Sequence, residues 1–369
     1  MTALEARFVS KPKKENTMPQ EPLIAVCIPA YGRARLLPEL LDSLVAQDYD
    51  DFEVVICEND SPDRAEIRRI VEQYQQTSGR NIRLFENEKN LGYDGNIRRL
   101  VQCATGRFLC FCGNDDLLAP GALRLIARTI QQHPEVGVIL RTYATFKETP
   151  QEIDQVFRYF NEKRIFPSGP DTIVTFFKRC VVIPGVTFER RAALQWETER
   201  FDGHTLYQIW LVANILVDRP GVFLPEVIGH YRLDGVPDIG HSPAERKGNY
   251  VPGVRTTESS LFMMRGFLEI AQYVEDTRSV PIRKAIEKDL ANYSFGFIAI
   301  QRTKPFKVFL KYVWDLGKLG FGKYPMYWCY VIGLVLLPEK TLWSIMGAIK
   351  RFLGHTPNIG SVYTGKKTS

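Results

Sequence analysis

The chain has no glycine-rich phosphate loop. No Gly-x-Gly-x-x-Gly follows its first apolar run and no Gly-x-x-x-x-Gly-Lys-Ser/Thr occurs anywhere, so neither a Rossmann dinucleotide site nor a P-loop is supported. There is no Gly-x-Ser-x-Gly either, which removes the strained nucleophile turn of the α/β-hydrolases. The seven cysteines are odd in number and scattered, and none forms a Cys-x-x-Cys pair; zinc ribbons and disulfide frameworks are not indicated, and buried thiols in a reducing compartment are expected. The first 20 residues are polar and lack the apolar centre of a secretory signal, so they read as a disordered leader. The uncharged apolar run Met326 to Leu337 has twelve residues, whereas a membrane-crossing helix needs about 20.

What is present is ordinary in bulk and uneven in detail. The 369 residues are 45% hydrophobic and 24% charged, enough for one large globular domain or two smaller ones. From Arg302 to Ser369 there are 11 Lys/Arg against two acids, a net +9 where the whole chain carries +6, so the remainder is −3. A basic C-terminal third points to an anionic surface as partner. It carries no nucleic-acid-binding motif, so no nucleic-acid partner is expected.

Along the chain, apolar runs alternate with helical spacing. Leu23 to Ala30 reads as a central strand, Phe52 to Cys57 as a second, Ile82 to Phe85 as a third and Phe108 to Cys112 as a fourth. Between them Leu37, Leu40, Leu41, Leu44 and Val45, then Ile67, Ile70 and Val71, then Ile97, Leu100 and Val101, recur at helical intervals, with Asp94 the expected N-cap of the third helix. Pro120 to Gln132 reads as helix and Val136 to Phe146 as extended. This alternation predicts a doubly wound, mostly parallel sheet. Polar clusters follow three of the strands: Tyr31 to Arg33, Glu58 to Asp63 and Asn114 to Asp116. In a parallel sheet those three ends share one rim, where open α/β folds bind ligands. Asp115 and Asp116 repel each other, and a hard divalent cation relieves that repulsion and can hold a diphosphate. The bland alternative is a solvated acidic turn.

Taken together, these motifs resemble the family 2 glycosyltransferases, most nearly the abequosyltransferase-like enzymes of O-antigen and polysaccharide assembly. Pro29-Ala30-Tyr31-Gly32-Arg33 matches the first-strand motif and Glu58-Asn59-Asp60-Ser61-Pro62-Asp63 the second. Asn90, Gly92 and Asn96 match the glycine-asparagine loop. Ala104, Gly106 and Phe108 lead to Asn114-Asp115-Asp116 in the place of the Asp-x-Asp motif. The agreement runs from Leu23 to about Tyr143. The resemblance implies a GT-A nucleotide-diphospho-sugar transferase fold and an inverting, metal-assisted transfer from a nucleotide sugar to a hydroxyl of a lipid-linked or other glycan. It implies that Pro29, Tyr31, Arg33, Glu58, Asn59, Asn96, Asn114 and Asp115 bind the nucleotide, with Tyr31 stacked on the base and Glu58 on its edge. Asp115 would hold Mn2+ or Mg2+ with His241 as a further ligand, and Asp116 and Arg232 would meet the donor sugar and phosphate. The chain departs from the pattern at Gly32 (usually Asn), at Glu58 (usually Asp) and at Gly113, where the motif's first Asp would stand.

The acceptor half is less explicit. Its usual base slot holds Thr205-Leu206, leaving Asp202 and His204 just upstream as candidate general bases, Asp202 preferred as a carboxylate. The expected organisation is a leader over 1–20 and a glycosyltransferase domain over 21–250, split into a nucleotide half (21–146) and an acceptor half (147–250). A helical, basic and aromatic region then covers 251–369. Its lysines and aromatics predict an interfacial segment on the inner face of the cytoplasmic membrane, reached from the cytoplasm; an ordinary packing domain is the alternative. Two other functions stay open from sequence alone: a sugar-phosphate nucleotidyltransferase, and a glycan- or membrane-binding protein whose site has decayed at Gly113.

Overall fold

The computed structural model describes residues 22–233 and 239–357 and the backbone of 366–367. The expected leader over 1–20 lies outside the described residues. Strands β1 (Ile24–Ala30), β2 (Phe52–Glu58), β3 (Ile82–Glu86) and β4 (Phe108–Phe111) alternate with helices α1 (Leu37–Val45), α2 (Arg64–Thr77) and α3 (Gly92–Cys103). These four strands run parallel in the order β3-β2-β1-β4. Their side chains divide strictly by parity, as the two-residue repeat of a strand requires. Ile24, Val26 and Ile28 face a core with α1 and α2; Ala25 and Cys27 face the opposite core with α3.

Beyond β4 the sheet becomes mixed. A short β5 (Leu117–Leu118), α4 (Ala122–Gln132) and β6 (Val138–Phe146) lead through β7 (Ile153–Phe157), β8 (Arg164–Phe166) and α5 (Pro170–Phe177) to β9 (Thr187–Glu189). β9 runs antiparallel between β4 and β6. After α6 (Arg190–Gln195) and α7 (Tyr207–Asp218), the long β10 (Gly221–Arg232) lies parallel to β6 and also pairs with β5. The Asp115-Asp116 turn is therefore pinned on both sides, by β4 before it and by β5 on β10 after it.

The rest is helical: α8 (Pro243–Lys247), α9 (Thr257–Arg278), α10 (Arg283–Asn292), α11 (Phe295–Ala299), α12 (Phe306–Lys318), α13 (Pro325–Leu336) and α14 (Glu339–Leu353), before a two-residue β11 (Lys366–Lys367). The division at 250 marks a change of class and not a second core. One apolar cluster runs from Ala25 on β1 to Leu334 on α13, so the C-terminal helices close the α3 face of the sheet. α13 is split: Tyr327, Val331 and Leu334 are buried, while Ile332 and Leu336 face outward. α14 buries no residue fully. Among the described residues no helix is long and apolar enough to cross a membrane.

Candidate functional site

The ends of β1, β2 and β4 meet at one cleft of about 320 Å3, within the size range of small-molecule sites. Pro29, Tyr31, Arg33, Asn59, Asn96, Asn114, Asp115, Asp116, Arg232 and His241 all line it. Glu58, Asp202 and His204 are not among its lining residues.

The β1 turn is tight. Gly32 and Arg33 both have positive φ, 61° and 57°, a conformation that costs little only for glycine. It carries the Arg33 guanidinium onto the Asp115 carboxylate as an ion pair. Asn114 Nδ2 donates to the Gly32 carbonyl at 2.9 Å, so the first and fourth strand ends are tied directly.

At the second strand end the expected base contact is taken up otherwise. Glu58 is fully buried. Its oxygens accept from the backbone of Ser61 (2.7 Å) and Asp60 (3.1 Å) and from Arg64 Nε (2.5 Å). It closes the turn after β2, and Asn59 is the residue that reaches the cleft. Asn59, Asn87, Asn90 and Asn96 form a largely buried amide network, with Asn90 half-buried and Asn87 Nδ2 donating to Asn59 Oδ1 at 3.0 Å and Asn96 Oδ1 at 2.9 Å. The glycine-asparagine loop is thereby locked to β2.

The acidic turn is shaped by Gly113. A Cβ there would stand 2.6 Å from Asp116 Oδ2 and 3.0 Å from Asp115 Oδ1. Both carboxylates thus lean over the bare face of this glycine, where the family's extra Asp would collide. Burial pushes Asp116 up to about 7, against the backbone N–H of Arg232 and the charges of Arg33 and Arg141. Arg232 is locked in place and not free to clamp a phosphate. Its Nε donates to the Asp115 carbonyl at 2.9 Å, it pairs with Glu39, and it lies over the Phe146 ring at 4.5 Å. It braces the turn from β10. Deeper, Arg141 is fully buried on β6, donates to the Pro184 and Val182 carbonyls, and leaves Nη1 without a partner. Its positive charge sits under the rim.

Two adjacent carboxylates fit a hard divalent cation that takes its other ligands from water and a diphosphate. Asp115 and Asp116 would hold it. The expected third ligand is not assembled: the His241 ring lies against Tyr31, centroids 4.9 Å apart, and among the described residues no three His, Cys, Asp or Glu side chains gather as a metal site.

The opposite wall is set by a residue that sequence reasoning assigned elsewhere. Asp94 does not cap its own helix, whose N-cap is Leu91. Its buried carboxylate accepts four backbone N–H bonds from Gly203, Thr205, Leu206 and Tyr207, each at 2.8 Å. It therefore caps α7 from another element. Thr205 is held there at φ 61°, an outlier for a β-branched residue. Thr205 and Gln208 line the cleft. Gln208 donates to the Val181 carbonyl at 3.1 Å and leaves a buried Oε1 without a partner. The two expected bases have other partners. Asp202 makes a two-pronged pair with Arg98 at 2.6 and 2.9 Å. His204 stacks on Phe262 at 4.6 Å and faces Glu269 at 3.2 Å.

The sequence signature described as Glycosyl transferase family 2 matches residues 25–194. The chain belongs to this family. An uncharacterised protein of Mycobacterium tuberculosis is 30% identical over 62% of this chain and 73% of its own length. The Salmonella typhimurium abequosyltransferase RfbV is 27% identical over 49% of the chain, which spans only about half (54%) of that relative. Among solved structures, Staphylococcus aureus TarS (residues 1–349) with UDP-GlcNAc aligns with a TM-score of 0.54 at 18% identity, over 80% of each chain; at that identity the likeness shows the fold alone. This glycosyltransferase thus carries the GT-A fold of its family.

Proposed function

We propose that this glycosyltransferase moves a sugar from a nucleotide diphosphate carrier to a hydroxyl of a lipid-linked glycan. The work is done at the inner face of the cytoplasmic membrane, with inversion and with the help of Mn2+ or Mg2+. The observation that supports it is the cleft at the rim of β1, β2 and β4. Tyr31 offers a ring for a nucleobase, and Asn59, Asn96 and Asn114 surround the space beside it. Asp115 and Asp116 would hold the cation, which supplies neutralisation of the departing diphosphate. Arg33, paired with Asp115, supplies positive charge to the cleft from the chain itself. Arg141 adds a fixed charge beneath, in a dry setting where it acts strongly. Across the cleft, Thr205 and Gln208 form the wall against which the acceptor hydroxyl would be oriented.

The membrane reading is supported by the C-terminal surface. Trp314, Ile332, Leu336 and Phe352 are exposed, at 61%, 55%, 73% and 90%. Exposed apolar side chains of this kind suit an interaction surface, and the net positive charge of the region from Arg302 on suits anionic lipid.

Incubation with a panel of nucleotide sugars, Mn2+ and lipid-linked oligosaccharides tests the proposal. It predicts release of a nucleoside diphosphate and a glycan longer by one sugar of inverted anomeric configuration. Hydrolysis without transfer to any glycan, or retention of configuration, contradicts it.

A further inference from the structure

A second cavity, of about 340 Å3, shares Val181 and Val182 with the donor cleft. Its walls are aromatic, including Tyr143, Phe157, Tyr293 and Trp343. Two half-buried lysines enter it, Lys178 from the turn after α5 and Lys350 from α14. Lys350 Nζ lies 4.2 Å from the Phe157 ring centre and Lys178 Nζ 5.2 Å from that of Tyr293. The nearby acid is already taken: Asp289 is bound by both terminal nitrogens of Arg179, at 3.0 and 3.1 Å. Among the described residues no carboxylate forms an ion pair with either lysine. Burial pushes both ammoniums down to about 8; for Lys178 the charge of Asp289 opposes this, while Arg179 and Lys350 add to it. Behind Tyr143, Arg141 stacks at 4.7 Å with its Nη1 unpartnered.

Two lysines that form no ion pair of their own, enclosed by aromatic rings, fit an anion that carries an apolar or sugar-like body. The position narrows its identity. On one side the cavity adjoins the cleft through Val181 and Val182. On the other it is walled by Trp343, Met346 and Lys350 of α14, the helix whose Ile345, Ile349 and Phe352 are exposed.

We propose that this cavity is the acceptor subsite and holds the phosphate or diphosphate that joins the acceptor glycan to its lipid. Lys178 and Lys350 pair with the phosphate oxygens, and the aromatic wall packs the first part of the lipid chain. The assignment rests on the lipid-linked acceptor proposed above. A phospholipid headgroup presents the same chemistry, a phosphate ester on an apolar chain, and the test separates the two.

Farnesyl diphosphate, farnesol and dihexanoyl phosphatidylglycerol are titrated calorimetrically into the full chain, below their aggregation limits. Saturable binding of farnesyl diphosphate is expected, at least tenfold tighter than either other probe. Lys178→Gln with Lys350→Gln is expected to weaken it at least tenfold, while nucleoside diphosphate binding with Mn2+ stays within twofold and serves as the check on folding. Asp115→Ala is expected to show the reverse pattern, which separates this cavity from the donor cleft. Equal binding of farnesyl diphosphate by the lysine double variant and the parent overturns the subsite. So does equal binding of farnesol, which removes the anion, or of the phosphatidylglycerol, which makes this a lipid-anchoring site. A parent that binds farnesyl diphosphate through the lysines but binds no nucleoside diphosphate upholds the subsite and overturns the donor reading instead.

Discussion

Replacing Asp94 by Asn should damage both the fold and the acceptor wall while sparing the donor side. The parent carboxylate accepts four N–H bonds of 2.8 Å, two on each oxygen. An Asn side chain keeps one oxygen, which serves two of these donors. Its NH2 then faces the other two, which are buried and lose their partner. Each such loss costs about 1–3 kcal/mol, and the two remaining bonds lose their charge assistance. The two losses alone come to about 2–6 kcal/mol, a large share of the roughly 5–15 kcal/mol that holds a typical domain together. The strained φ of Thr205, itself a cost of about 1–3 kcal/mol, is maintained by the same bonds and should relax. Chemical denaturation measures the first effect, and steady-state kinetics with varied acceptor measures the second. The expected result is a midpoint shift equivalent to at least 2 kcal/mol, with a fall in kcat/KM for the acceptor of tenfold or more and nucleoside diphosphate affinity within twofold. An Asp94→Asn protein that unfolds with the parent and keeps its acceptor kinetics would refute the claim that this carboxylate builds the α7 wall.

Three further outcomes are expected. Asp202→Asn breaks the pair with Arg98 and should lower stability by about 1–3 kcal/mol with kcat within threefold; a loss of a hundredfold or more in kcat at unchanged melting temperature would restore Asp202 as the general base. Asp116 is held protonated up to about 7 by burial. Its folded pKa is raised, so its contribution to stability is complete below about 4, the ordinary carboxylate range, and is lost as the pH rises to 7. A cation needs the ionised form, so Mn2+ affinity of the nucleotide complex should move the other way, rising up to tenfold per pH unit until about 7 and then levelling; a pH-independent affinity between 5 and 8 contradicts this. Leu336→Ser with Phe352→Ser removes two exposed side chains worth about 1.5–3 kcal/mol each when inserted in lipid, so partitioning onto anionic vesicles should fall at least tenfold, and it should fall for the parent as salt is raised.

The N-terminal strands and helices were legible because their signals are local. Four apolar runs of strand length, three helices with clean spacing and three polar strand ends leave little choice of topology, and the rim they imply is the rim observed. What was not legible depends on partners distant in sequence. Glu58 carries the right chemistry for a base contact, but Arg64 and the Ser61 turn take both oxygens, which only the folded turn reveals. Asp94 sits where a helix-start acid belongs, yet its four donors lie more than 100 residues on. Asp202 and His204 stand close to the base slot in sequence and are drawn away by Arg98 and by Glu269 and Phe262. Gln208 was hidden at the start of an apolar helix, although a buried amide beside a run as apolar as Ile209 to Val212 is a signal in its own right. The antiparallel β9 is only three residues long, too short to announce its direction.

The strand-end rim should grip a nucleoside diphosphate through a divalent cation. This is tested most directly by calorimetric titration of UDP, GDP, CDP and TDP, with and without Mn2+, into the parent and into Asp115→Ala. One diphosphate should bind at least tenfold more tightly with Mn2+ than without it, and Asp115→Ala should abolish that gain. Mn2+-dependent binding that survives unchanged in Asp115→Ala, or no binding of any of the four, would contradict it.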